Sequence, residues 1–284
     1  MAKALVTLAI GKNYELMFEK HCRSLWQHYA EKYQFEVVVL TQPLDNSSKA
    51  QSRNPSWQKC LILSEPSLQK YDRVVWVDAD ILINPNSPDI TEGVPLEKIG
   101  AVDDYATPSR ADHEICLKRL YDFWSKNGIE YIDNLSPTAF YKSFGIDAEF
   151  QSVVQAGVMV LSPRYHRELL EYVYHSYEDK GSGEWNYEMR PLSYEILMRH
   201  IECWISPKFN MPWPLIQQFL YPFLSSRDNV VQKGLQKIGL NPKASLISKC
   251  VTTAFFNNYF LHFAGGTTGD MKYVDTKVTS IFDL

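Results

Sequence analysis

No run of about 18 apolar residues occurs in the 284-residue chain, so no segment is predicted to cross a bilayer as a helix. Cysteine is sparse: five residues, at positions 22, 60, 116, 203 and 250, with neither a CxxC pair nor a Cys/His cluster at zinc spacing. An odd, scattered set excludes a disulfide scaffold and a zinc module and predicts reduced, buried thiols. Neither sign of charge is in excess, with 29 Lys plus Arg against 33 Asp plus Glu. A balance of −4 does not suit a chain that coats phosphate backbones, so nucleic acid is not an expected partner. Internal repeats and low-complexity tracts are also missing. Residues 2–10 are too few, and too soon followed by Lys12 and Glu15, to form a signal peptide. These absences lead to the expectation of a soluble, cytoplasmic protein that has no transmembrane segment but could rest on a membrane surface.

What is present is the make-up of an ordinary globular domain: 45% hydrophobic, 22% charged, 13 Gly and 15 Pro. Residues 4–10 form an apolar run ended by Gly11, as a strand buried on both faces of a parallel sheet requires. Helical spacing over 14–33 and the run FEVVVL at 35–40 complete a βαβ opening, the start of a Rossmann-like half. A short helix over 56–63 and strands over 73–77, 99–102 and 153–163 follow, with helices over 165–177 and 192–200 and a last strand over 255–263. Residues 108–150 carry no pattern that orders them. The expected fold is α/β, with residues 1–165 as a nucleotide-type half and 166–284 as a substrate-side half of the same domain.

The chemistry concentrates at strand ends. Val74-Val-Trp-Val-Asp78-Ala-Asp80 is an apolar strand running into two carboxylates one residue apart. Alternation would put both on one side at the carboxyl end of a sheet strand, where open α/β folds hold ligands. Two adjacent carboxylates repel unless a cation lies between them, so the pair suits Mg²⁺ or Mn²⁺ bridging the phosphates of a nucleotide. The competing reading is a strand that simply ends in acidic loop residues. Downstream, Tyr259-Phe-Leu-His262-Phe-Ala-Gly265-Gly266 delivers a His and then glycines that let a backbone approach a ligand. A His beside two carboxylates makes a mixed oxygen and nitrogen set, better suited to Mn²⁺ than to Mg²⁺; alone, it would be a core histidine. Ala156-Gly157 at a strand start permits either a close ligand or tight packing.

Taken together, Trp57 to Pro66, Asp72 to Leu82, Gln155-Ala-Gly157-Val-Met-Val-Leu and His262-Phe-Ala-Gly265 resemble the GT-A glycosyltransferases of family 34, the α-galactosyl-, α-xylosyl- and α-mannosyltransferases. A looser likeness extends to family 8, the glycogenin-like enzymes. The resemblance implies a mixed, mostly parallel sheet flanked by helices, a nucleotide-sugar donor (a UDP-sugar, or a GDP-sugar), a divalent metal, and retaining transfer to a glycan or glycolipid acceptor. It implies that Asp78, Asp80 and His262 hold the metal and that Ala9, Gly11 and Tyr14 contact base and ribose. Lys59 would lie near the donor and Asp103 or Asp104 would grip donor-sugar hydroxyls. Gln155, standing where the family has Asn, would line the sugar pocket with Ala156, Gly157 and Gly265.

Two departures stand out. Where the families place an acidic residue followed by Gln, this chain has Glu188-Met189-Arg190, so Glu188 can supply the carboxylate while Met189 and Arg190 replace the amide. Where they carry a Lys shortly after the metal His, Thr267 and Thr268 stand; either Lys272 or Arg190 meets the leaving phosphate, or the donor complex is looser. Retention needs either a nucleophile, for which Glu188 is the candidate, or same-face attack in which the leaving phosphate takes the acceptor proton; same-face attack is the expectation, since no second carboxylate is clearly placed. Residues 225–250, with Arg227, Lys233, Lys237, Lys243 and Lys249, form a basic stretch, and Trp185, Trp204, Trp213 and Tyr221 are candidates to stack on sugars. Other readings are a haloacid-dehalogenase-like phosphatase, whose DxD also follows an apolar strand, and a weakly catalytic nucleotide-sugar- or glycan-binding protein on a GT-A fold.

Overall fold

The apolar run near the N-terminus forms β1 (Lys3–Leu8), and the helical stretch after Gly11 becomes α1 (Lys12–Met17) and α2 (Arg23–Tyr33). Between these helices one π-helical turn, Phe18–Cys22, replaces the single helix expected from periodicity. The computed structural model describes residues 1–129, 131, 135–179, 188–225 and 242–277. In it β2 (Phe35–Leu40), α3 (Ser48–Gln51) and a 3₁₀ segment, Pro55–Ser64, lead to β3 (Arg73–Val77). The 3₁₀ segment starts where the Asn54 side chain accepts from the Ser56 amide, and it stops at Glu65, held extended by Pro66. The next elements are β4 (Ile81–Ile83), β5 (Ile99–Asp103), α4 (His113–Lys126), α5 (Pro137–Lys142), β6 (Val154–Leu161) and α6 (Pro163–Ser176). The chain closes with α7 (Met189–Met198), β7 (Glu202–Trp204), β8 (Met211–Pro212), α8 (Trp213–Leu220), α9 (Pro242–Asn257) and β9 (Phe260–His262).

Six strands form a mixed, mostly parallel sheet in the order β2-β1-β3-β6-β5-β7, in which β6 alone runs antiparallel to its neighbours. Every residue of β3 is buried, because apolar layers cover both faces. Val75 and Val77 pack with Phe18, Trp26 and Tyr29 from the N-terminal helices and with Phe255 and Phe260 near the C-terminal end. Val74 and Trp76 pack with Trp57 and Leu63 of the 3₁₀ segment and with Leu170 and Ile196 of α6 and α7. A continuous apolar strand is what such two-sided burial selects. A three-stranded sheet, β4-β9-β8, sits at the end of β3.

The strand expected over 255–263 is shorter than its apolar run. Residues 255–257 finish α9, whose Val251, Ala254 and Phe255 share a buried face at helical spacing, and only Phe260–His262 is extended. No described helix is long and apolar enough to cross a membrane. The five cysteines are free, four of them buried.

Candidate active site at the end of the third strand

β3 delivers its acidic residues through a turn, not through continued alternation as the sequence pattern implied. The Asp78 amide donates to the Gly157 carbonyl of β6 at 2.8 Å, and the chain then turns, with the Ile81 amide donating to the Asp78 carbonyl at 3.2 Å. The turn is braced from the helical side, where Cys22 Sγ donates to the Ala79 carbonyl at 3.4 Å and Trp26 Nε1 to the Ile81 carbonyl at 2.9 Å. Cys22 ends the π turn, which sets where both donors reach the backbone. β4 then pairs antiparallel with β9, placing Ile81 opposite His262, and the Phe263 amide donates to the Asp80 carbonyl at 2.9 Å.

Register thus brings together residues 182 positions apart in sequence. His262 Nε2 lies 3.3 Å from Asp80 Oδ1 and 4.0 Å from Asp78 Oδ2. One ligand atom from each of Asp78, Asp80 and His262 lies within 4.8 Å of the other two. Ligands of a cation held at about 2.1 Å sit about 3 to 4 Å from one another, so two carboxylates and an imidazole at this spacing fit one divalent ion.

The ring of His262 is oriented by an amide relay that no sequence pattern announced. The Gly157 amide can only donate, and it donates to Gln155 at 2.6 Å, so the Gln155 atom there is Oε1. Gln155 Oε1 also receives Asn210 Nδ2, which turns Asn210 Oδ1 toward His262 Nδ1 at 2.9 Å. Nδ1 therefore carries a hydrogen and Nε2 faces the carboxylates, the arrangement a metal ligand needs. Gly157 belongs to the same device. A Cβ there would stand 2.8 Å from His262 Cε1 and 3.0 Å from both Asn210 Nδ2 and Gln155 Oε1. Close approach at this glycine is by the histidine.

Lys59 is the buried cation of the site, 3.0 Å from Asp78 Oδ1 and 2.8 Å from Glu188 Oε1. It also donates to the Ala156 carbonyl at 3.3 Å. Burial opposes its charge, but Asp78 and Glu188 outweigh burial and hold its pKa above the ordinary lysine value. Glu188, buried as well, is held below the usual carboxylate range, since Lys59 overcomes the cost of its burial. Burial raises Asp78 despite Lys59 and His262, whereas burial of Asp80 is overcome by His262 and its pKa falls. His262 in turn rises against burial because of Asp80 and Asp78. The charges are arranged as two acid–base pairs, Asp80 with His262 and Glu188 with Lys59, joined through Asp78.

A cleft of about 320 Å³ opens over this cluster, walled by Tyr14, Asn54, Ser56 and Trp76 and floored by Lys59, Asp78 and Asp80. Tyr14 is half exposed, and burial with the nearby Asp80 and Asp78 charges raises its hydroxyl pKa. Gly11, at φ 91°, makes the turn that brings Tyr14 to the cleft. Ala9 is fully buried in the core and adds no wall. Asp103 is turned into loop structure, accepting from the amides of Tyr105 and Val153 and from Ser152 and Arg110. Asp104 instead lines a second cavity with Gln155 and Gly265. Arg190 is fully buried, its Nε donating to the Phe140 carbonyl at 3.0 Å, and Lys272 is exposed over Tyr273. Neither lines the cleft.

Among the stacking candidates, Trp213 is core, donating Nε1 to Asp270 at 2.9 Å with Tyr221 against it, while Trp204 is exposed. Trp185, Arg227, Lys233 and Lys237 lie outside the described residues. The residues that sequence reasoning missed are Asn210, Asn54, Ser56 and His113; single polar side chains in loops and at the ends of helices carry no periodic signal.

No protein-family model matches the chain, and no curated protein matches it. Solved structures do. A glycosyltransferase involved in glycosylation of the major capsid of PBCV-1 superposes with a TM-score of 0.53 at 11% identity, covering 96% of this chain and 100% of that one. The bifunctional glycosyltransferase WbbM superposes with a TM-score of 0.53 at 12% identity, covering 95% of this chain; the chain spans 49% of WbbM. A phosphatase fold is not favoured by these likenesses. At such low identity the likeness is one of fold, and that fold is the GT-A fold of glycosyltransferases.

Proposed function

We propose that the protein is a divalent-metal-dependent glycosyltransferase that moves a sugar from a nucleotide-sugar donor to a hydroxyl of a glycan or glycolipid acceptor, with retention of configuration. The observation that carries this reading is the convergence of His262 on Asp78 and Asp80, the two carboxylates at the floor of a cleft in a GT-A fold. These three side chains would hold Mn²⁺, or Mg²⁺. The bound cation would supply positive charge against the diphosphate leaving group. A UDP-sugar is the preferred donor class, with a GDP-sugar as the second.

The chain's own residues divide the remaining work. Tyr14 and Trp76 flank the cleft where base and ribose would lie, and Asn54 and Ser56 offer hydrogen-bonding groups there. Lys59 holds Asp78 in place and adds preorganised positive charge beside the phosphates. Glu188 is engaged by Lys59 at 2.8 Å, which favours a positioning role over that of a nucleophile. Same-face attack, with the leaving phosphate accepting the acceptor proton, therefore suits the geometry better than double displacement. Residues 1–165 would bind the donor, and residues 166–284 would contribute to the acceptor side.

The test is a panel of UDP- and GDP-sugars incubated with the protein and Mn²⁺, following nucleotide diphosphate release. Release from one donor, abolished by EDTA and by Asp80→Ala, is the expected result. Binding of nucleotide without release across the panel would indicate a nucleotide-sugar-binding protein. No binding at all would sink the reading.

A further inference from the structure

The second cavity, of about 160 Å³, lies against the metal cluster yet shares no lining residue with the nucleotide cleft. Its connection to the cluster is through Gln155, the residue that orients Asn210, and through Ala264 and Gly265, which follow His262 in the chain. The volume is well below the roughly 300 Å³ at which drug-sized sites begin, so it has room for one small ring. One wall is an aromatic cluster: Tyr121 and Tyr131 stack with centroids 4.7 Å apart at 13°, and Trp124 lies 5.8 Å from each. Pro212, Pro214 and Leu215 also line the cavity.

Polar groups sit beside these apolar walls. His113 is nine-tenths buried, and its Nδ1 meets the Thr107 carbonyl at 2.8 Å, which requires a hydrogen on Nδ1. Its Nε2 is buried with no hydrogen-bond partner among the described residues. Asp104, the residue that follows β5, lines the cavity together with Gln155. Among the described residues no Lys or Arg lines the cavity. Aromatic faces attract the C–H faces of a pyranose, while Asp104 and Gln155 offer hydrogen-bonding groups to its hydroxyls. A carboxylated or phosphorylated sugar would meet Asp104 with no fixed cation in the lining to offset the repulsion.

We infer that this cavity binds the terminal residue of the acceptor as a single uncharged pyranose, seated on the Tyr121, Trp124 and Tyr131 wall beside Asp104 and His113. The assignment of this ring to the acceptor rests on the glycosyltransferase reading; the binding of a neutral ring does not.

The test is saturation-transfer NMR with methyl β-D-galactopyranoside, methyl α-L-rhamnopyranoside and methyl β-D-glucuronide on the wild type, Tyr121→Ala and Leu117→Trp, the last filling the cavity from Leu117 of α4, which also lines it. UDP binding in the presence of Mn²⁺ is measured by calorimetry on the same samples. At least one neutral glycoside should bind the wild type, and the glucuronide at least tenfold more weakly. Both variants should lose glycoside binding tenfold or more while keeping UDP affinity within twofold. Failure of the wild type to bind either neutral glycoside, undiminished binding by both variants, or equal binding of the glucuronide would overturn the inference. Parallel loss of UDP affinity in well-folded variants would give the cavity to the donor and overturn it too. A wild type that binds the glycosides but not UDP would contradict the transferase reading alone.

Discussion

Two strands of the main sheet, β3 and β5, each run apolar and buried into a pair of acidic residues, and the pairs have opposite fates. After β3, Asp78 and Asp80 face a cleft, with His262 and Lys59 as their neighbours. At the end of β5, Asp103 is consumed by two backbone amides, Ser152 and Arg110, and Asp104 alone reaches a cavity. A backbone amide is a donor that cannot be withdrawn, so a carboxylate that caps one is fixed as structure. An imidazole and an ammonium on neighbouring elements leave carboxylate lone pairs open to a cation. An acidic strand end becomes a site through the partners that other elements bring to it.

The largest effect should come from the open pair. Replacing Asp80 by Asn removes a ligand charge while keeping its shape, and nucleotide diphosphate release should fall about a thousandfold with Mn²⁺ affinity falling in step. A variant with near wild-type release would place Asp80 with the structural acids. Asp103→Ala should show the reverse pattern. It orphans the amides of Tyr105 and Val153, and chemical denaturation should record a loss of about 2–4 kcal/mol, while the folded fraction binds Mn²⁺ as the wild type does. Unchanged stability would break the contrast between the two turns.

Smaller effects sharpen the comparison. Asn210→Leu removes the partner that fixes His262, and Mn²⁺ affinity should drop about 10- to 100-fold with little change in the melting temperature. Equal affinity would show that packing against Gly157 alone aims the ring. His166 gives a buried polar group with a purely structural task, its Nδ1 accepting the Ser162 amide at 2.9 Å. Burial lowers its pKa from 6.5 to about 4. Between these values the unfolded chain takes up a proton that the folded chain refuses, so stability should rise with pH from about 4 to about 6.5 by about 3 kcal/mol. His166→Asn should flatten that rise, read from urea midpoints across the window.

Much of the sheet was legible because two-sided burial writes itself as unbroken apolar runs. Residues 35–40 and 73–77 match β2 and β3 to the residue. The same signal misled at 255–263, where a helix end and a strand are both apolar and periodicity cannot separate them. Asp78, Asp80 and His262 were legible as strand ends, but their meeting depends on the pairing of β4 with β9, which three-residue strands do not announce. Asn210 stayed hidden because a lone amide in an irregular segment acts only through the register of its neighbours. Residues 108–150 gave no pattern, and it is there that α4 builds the aromatic wall of the second cavity.

The most direct test of the central claim is calorimetric titration of Mn²⁺ into the protein with UDP present, for the wild type, Asp80→Asn and His262→Ala. One ion per chain, with affinity lost at least tenfold in each variant, is the predicted result. Equal affinity in all three proteins, or no binding to the wild type, would contradict a metal site built from Asp78, Asp80 and His262.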